Sequence, residues 1–158
     1  MENTNSIEEL GIKITNKLEN GCKLYELQYL LESYVGIDWS NHVEFSDDKY
    51  KKIIEFRNDL IDIIIICWNT NQSSGIHDHP SNGCLLRIMD GRLTENVYVN
   101  NDCLNEKFKL SKTKKLNENQ ISFIQGKNGL HNISNIGDIK TVSLHVYSPP
   151  NYTPNFFI

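Results

Sequence analysis

A chain of 158 residues is long enough to bury one core without disulfides, and 39% hydrophobic and 23% charged residues are ordinary globular values. A formal charge of -4 argues against a nucleic-acid or anionic-membrane partner. The polar, acidic start and a longest apolar run of only Ile63 to Trp68 predict neither a secretion signal nor a membrane span, hence a cytoplasmic protein.

The first third reads as helix. Ser6 and Glu9 form a possible capping box, Ile7, Leu10, Ile14 and Leu18 share one helical face, and Gly21 is a plausible stop. A second amphipathic run carries Leu24, Leu27, Leu31 and Tyr34 and ends before Gly36. Asp38 to Asp48 reads as a short helix or loop. From Tyr50 the pattern changes to strands. Tyr50 to Phe56 and Leu60 to Trp68 are joined by the turn Arg57-Asn58-Asp59. Further strands are expected at Gly83 to Met89, Leu93 to Val99, Glu106 to Leu110, Gln120 to Ile124, His131 to Ser134 and Thr141 to Tyr147. Asp90-Gly91 and Ile136-Gly137-Asp138 punctuate them. Lys109, Lys112, Lys114 and Lys115 read as a solvated hairpin edge guarded by lysines. The expectation is a mainly β fold, a barrel or sandwich with helices at the N-terminus. It forms one domain, with residues 1–48 packed on a barrel of residues 49–158. No apolar surface seam is evident, so a monomer is expected. Cys22, Cys67, Cys84 and Cys103 form no C-x-x-C pair and are expected to be reduced.

Of the five histidines, His77 and His79 are the most informative. Alternate residues of a strand face the same way, so both imidazoles can reach one ion while Asp78 points opposite. His131, at the start of a later strand, is the expected third ligand. Three imidazoles suit zinc, iron, copper or nickel. No acidic residue follows His79 at the strand position where a carboxylate ligand would sit, and Cys84 occupies that stretch. Three neutral ligands leave the full charge of a divalent ion in place. That charge favours a thiolate, and it equally suits a zinc-bound hydroxide. Ser143, His145 and Tyr147, spaced by two, share a strand face and can hydrogen-bond in sequence.

Ser74-Gly75-Ile76-His77-Asp78-His79 with Cys84 and Gly91 resembles the first cupin motif of the cysteine dioxygenase family. Gly129-Leu130-His131 with Asn135 is similar to the second motif. Ser143-Leu144-His145-Val146-Tyr147-Ser148-Pro149-Pro150 resembles the family's S-L-H-x-Y-S-P-P signature. The resemblance runs from about Tyr50 to Pro150. It implies a cupin (jelly-roll) barrel and an iron(II) enzyme that adds both atoms of O2 to the sulfur of L-cysteine, giving cysteine sulfinate. It also implies iron ligation by His77, His79 and His131, a Cys84–Tyr147 thioether crosslink, and a hydrogen-bonding row of Ser143, His145 and Tyr147, with Trp68 as a family tryptophan.

One position departs from that pattern. Family members bind the substrate carboxylate with an arginine two residues after a tyrosine. The matching pair here is Tyr50 and Lys52, while Arg57 falls in the predicted turn. A lysine can neutralise a carboxylate as a point charge, without the planar fork of a guanidinium. Lys52 therefore keeps open another thiol acid, such as 3-mercaptopropionate. A metal-binding cupin without oxygen chemistry, or a zinc hydrolase or isomerase, remains a rival reading. The given sequence ends soon after the signature, and without the later strands of longer relatives a more open active-site mouth is expected.

Overall fold

A computed structural model describes residues 2–100 and 107–157. Helix α1 (Ile7–Glu19) starts where expected, with the Ser6 hydroxyl accepting from the Glu9 N–H at 3.1 Å. The Glu9 carboxylate reaches back to the Asn5 N–H rather than to Ser6. The stop also holds, because Gly21 has φ +90° and the Cys22 N–H closes onto the Lys17 carbonyl at 3.0 Å. The second amphipathic run is a 3-10 turn (Leu24–Leu27) leading into a short helix α2 (Gln28–Ser33), and Asp38–Ser40 is a further 3-10 turn.

Ten strands follow among the described residues: β1 (Lys51–Arg57), β2 (Asp62–Trp68), β3 (Ile76–His77), β4 (Gly83–Asp90), β5 (Arg92–Asn100), β6 (Phe108–Asn117), β7 (Ile121–Ile124), β8 (Leu130–Ser134), β9 (Thr141–Ser148) and β10 (Phe156–Phe157). They form two antiparallel five-stranded sheets, in the orders β1-β2-β9-β4-β7 and β10-β3-β8-β5-β6. Most expected strand ends shift by one or two residues, and two differences matter. Arg57 is the last paired residue of β1, opposite Asp62, and the two form an ion pair. The strand expected at Glu106 to Leu110 runs instead from Phe108 to Asn117, because it pairs along the whole length of β5. Cys103 and the first residue of that expected strand lie outside the described residues. Among the described residues, no helix is long and apolar enough to cross a membrane.

The first sheet is covered on both faces, and the period-2 rule assigns a core to each. Ile63, Ile65, Leu85, Leu144 and Val146 point outward, where Leu10, Ile14, Leu27 and Leu31 of the helical segment bury them. Arg87 ties that layer to the sheet by donating to the Leu31 and Tyr34 carbonyls. The alternate residues Ile66, Trp68, Leu86 and Ile88 point inward and meet Leu93, Leu116 and Ile133 of the second sheet. Strand β9 is therefore buried on both faces, with Val142, Leu144 and Val146 in the outer core. Its inward face carries Ser143, His145 and Tyr147. A polar row on the inner face of a barrel needs partners within the barrel.

Candidate metal centre

His77 closes the two-residue strand β3 and pairs directly with His131 of β8. His79 lies two residues on, beyond the strand, yet keeps the alternation, since its side chain joins those of His77 and His131 while Asp78 turns away. The three imidazoles are buried, and one nitrogen from each lies within 4.8 Å of the others.

The second ring nitrogen of each histidine fixes what the first can do. His77 Nδ1–H donates to the Gly75 carbonyl at 2.8 Å, and His79 Nδ1–H donates to the Gly129 carbonyl at 2.7 Å. His131 Nδ1–H donates to a Glu95 carboxylate oxygen at 2.7 Å. With every Nδ1 committed as a donor, each Nε2 presents a lone pair. His79 Nε2 and His131 Nε2 then face each other at 3.0 Å with no proton between them. Two lone pairs at that distance repel unless a cation lies beside both. Nitrogens about 2.1 Å from a common ion are about 3 Å apart when they subtend roughly a right angle. The donor set and its spacing therefore fit a metal ion.

Burial, followed by the neighbouring His131, holds the His77 imidazole down to about 4, and the same causes hold His79 down to about 2. Both rings are neutral near pH 7, so protons do not compete for these nitrogens there. Gly129 has a local reason to be glycine: a Cβ there would collide with the Gln125 carbonyl, and the tight loop delivers the carbonyl that His79 needs.

Glu95 is the residue that sequence reasoning missed. It is 1% exposed, yet it pairs with Lys114 at 2.8 Å, accepts from the Ser122 hydroxyl at 2.6 Å and accepts from His131. Burial alone would raise its pKa. The hydrogen bonds from His131, Lys114 and Ser122 more than offset that and bring it down to about 2. Its anionic carboxylate tempers the full positive charge that three neutral ligands would leave. One signal was available in sequence. Glu95 sits between Leu93 and Val97 on the inward face of its strand, where an unpaired acid is costly. Lys114 lies opposite it in the β5–β6 pairing. Lys109, Lys112 and Lys115 are exposed as expected of an edge, but Lys114 is a correction, being half-buried and turned inward.

A second network runs along β9. Trp68 Nε1–H donates to Ser143 Oγ at 2.9 Å, and Ser143 Oγ lies 2.7 Å from His145 Nε2. An indole can only donate, so the Ser143 hydroxyl is left to donate to His145 Nε2. His145 then carries its proton on Nδ1, 3.3 Å from Tyr147 Oη and 3.8 Å from Cys84 Sγ. In that polarity Tyr147 receives a hydrogen bond from behind. Its own O–H is free to donate forward. Burial pushes the His145 imidazole far down and the Tyr147 phenol and Cys84 thiol far up, so this row is neutral. Cys84 and Tyr147 are direct cross-strand partners of β4 and β9.

Tyr50, Lys52, Trp68, His145, Tyr147 and Phe156 line, with His77 and His131, a narrow cavity of about 20 Å³. Tyr50 stacks on Trp68 with ring centroids 4.6 Å apart. Lys52 stands at the solvent-accessible edge, where partial burial pushes its ammonium pKa down. Cys84 and Ser143 are buried behind this lining. All nine residues expected at the site are thus gathered in one region, in two layers. His42 lies elsewhere, exposed and paired with Glu55. The expected open mouth is not found, because the segment after the signature folds back as β10 and sets Phe156 against His77.

Known proteins match both the fold and the sequence. A cupin superfamily protein from Desulfitobacterium hafniense DCB-2 superposes with TM-score 0.53 at 11% identity, covering 67% of this chain and 83% of its own. A protein with a double-stranded β-helix domain from Klebsiella pneumoniae gives 0.59 at 13%, covering 75% and 87%. These structures establish the cupin fold alone. Human cysteine dioxygenase type 1 is 30% identical over 152 residues, covering 92% of this chain and 76% of the human protein. The family model described as cysteine dioxygenase type I matches residues 16–157. The chain belongs to the cysteine dioxygenase type I family and carries that family's cupin fold around a buried three-histidine site.

Proposed function

We propose that this protein is a thiol dioxygenase that oxidises L-cysteine with O2 to cysteine sulfinic acid at an iron(II) ion held by His77, His79 and His131. The observation that carries this reading is the convergence of three Nε2 lone pairs beside a cavity walled by Lys52, His145 and Tyr147. A ferrous ion bound there supplies a positive charge that lowers the pKa of the substrate thiol, and the one-electron chemistry that O2 requires.

The chain's own residues then have distinct tasks. Lys52, at the edge of the cavity, neutralises the substrate carboxylate, and Tyr50 braces that wall through its stack on Trp68. The Trp68–Ser143–His145 chain fixes the tautomer of His145, which keeps the Tyr147 O–H pointed forward as a donor to the reacting sulfur or oxygen. Holding reactants in one geometry can supply on the order of 7 kcal/mol or more of the barrier. Burial of His131, Ser143 and His145 strengthens each of these polar contacts.

The same reading includes a thioether crosslink between Cys84 and Tyr147, supported by their being direct partners across the β4–β9 pair. Joining Sγ to the phenol ring removes one hydrogen from each and needs O2 as oxidant. The product peptide is lighter by two hydrogens, which peptide mass spectrometry detects. The same reading has the enzyme working as a monomer in the reducing cytoplasm, in keeping with free thiols at Cys22, Cys67 and Cys84.

The test is O2 uptake by the ferrous protein with L-cysteine, 3-mercaptopropionate and cysteamine. Cysteine is expected to be fastest. If cysteamine, which lacks a carboxylate, is fastest, Lys52 does not serve a carboxylate. If no small thiol supports O2 uptake, the enzyme reading fails.

A further inference from the structure

Asp78 stands between two metal-ligand positions but faces away from them. It is 2% exposed and receives three hydrogen bonds. Oδ1 accepts from the Tyr152 hydroxyl at 2.9 Å and from the Asn155 N–H at 2.8 Å, and Oδ2 accepts from the Asn155 side-chain amide at 2.8 Å. The Asp78 N–H donates to the Asn155 carbonyl at 3.2 Å. None of these bonds is needed to aim the imidazoles, which have their own acceptors at Gly75, Gly129 and Glu95. They hold the segment that ends in β10.

That segment delivers one side chain to the cavity. Phe156 pairs with His77 across β10 and β3, with its ring 5.5 Å from the His77 imidazole. The ring rests on Gly75, where a Cβ would stand 3.1 Å from it. It is 54% exposed, so the ring spans the boundary between solvent and cavity. At about 20 Å³ the cavity has room for little more than one water molecule, so the position of each wall decides what fits.

We infer that Phe156 is a specificity-determining residue that sets the largest thiol the cavity admits, and that Asp78 is a positioning residue that holds it through Asn155. This rests on the thiol dioxygenase reading above. The two are separable, because one concerns whether a thiol is oxidised and the other concerns which.

The experiment compares the iron-loaded protein with its Phe156→Ala, Phe156→Leu and Asp78→Asn variants. The substrates are L-cysteine and L-homocysteine, which is one methylene longer, and metal content is measured in parallel. The ratio of kcat/KM for homocysteine to that for cysteine is expected to rise about tenfold or more in Phe156→Ala. Phe156→Leu gives a smaller rise, and Asp78→Asn moves in the same direction with its iron retained. An unchanged ratio in Phe156→Ala, with cysteine still oxidised, overturns the inference. So does a loss of rate that falls equally on both thiols and follows loss of iron, since that is the pattern of a merely structural residue. Anaerobic calorimetry of the same two thiols on the same proteins gives a readout free of turnover. If no thiol supports O2 uptake, the enzyme reading falls, and a shift in relative affinity still supports the role of Phe156 while equal relative affinities overturn it.

Discussion

His77 and His79 lean on main-chain carbonyls, whereas His131 leans on a buried carboxylate that is itself held by Lys114 and Ser122. A main-chain acceptor has a fixed strength and cannot be removed by changing a side chain. A carboxylate is a stronger acceptor and can be changed. Two ligands are therefore set by where the backbone runs, and the third is tuned by side chains that belong to β5, β6 and β7. Hydrogen bonds to charged groups are roughly twice as strong as neutral ones, so the asymmetry makes His131 the most electron-rich of the three imidazoles.

The comparison can be broken at several levels. The largest effect is expected from His131→Ala, which removes the tuned ligand itself. The purified variant should retain no stoichiometric iron by metal analysis, and full retention would remove His131 from the ligand set. Glu95→Gln leaves the ligand but weakens its anchor. Metal affinity, measured by competition with a chelator, should fall about 10- to 100-fold. An unchanged affinity would reduce Glu95 to a structural ion-pair partner. Ser143→Ala acts on the other network and leaves the metal alone. It strips the buried Trp68 Nε1–H of its acceptor, which should cost about 1–3 kcal/mol in denaturant unfolding. Turnover should fall as well, because His145 loses its fixed tautomer, while iron content stays whole.

The smallest effect concerns acid stability and lies outside both networks. Burial pushes the Asp62 carboxyl up, but Arg57 and the Asn151 N–H outweigh it and hold its pKa below the ordinary value of 3.8. The charged form is therefore favoured in the folded state. Its contribution to stability is fully present above that ordinary value and is lost as pH falls through the lower folded value. The melting temperature of the native protein should fall as pH drops below about 4, and Asp62→Asn should show a shallower fall from a lower starting point.

Much of this is legible in the sequence. The alternation of apolar and polar residues in Thr141 to Tyr147 placed Ser143, His145 and Tyr147 on one face, and the barrel turned that face inward. His77 and His79 were readable because a spacing of two survives the end of a strand. Three features were harder to read. Glu95 depends on a register between β5 and β6 that sequence alone leaves free to slide. Lys114 looks like its lysine neighbours until that register turns it toward Glu95. The return of β10 depends on Asp78 reaching Tyr152 and Asn155, a contact over more than seventy residues with no periodic signature. Local patterns report local geometry, and the misses all lie where the register or docking of one segment on another decides the contact.

The most direct test of the central claim is a single-turnover reaction of the ferrous protein with L-cysteine under isotopically labelled O2, read by product mass. The expected result is cysteine sulfinate carrying both labelled atoms. O2 left unconsumed, or cysteine recovered only as its disulfide with no labelled oxygen, would contradict it.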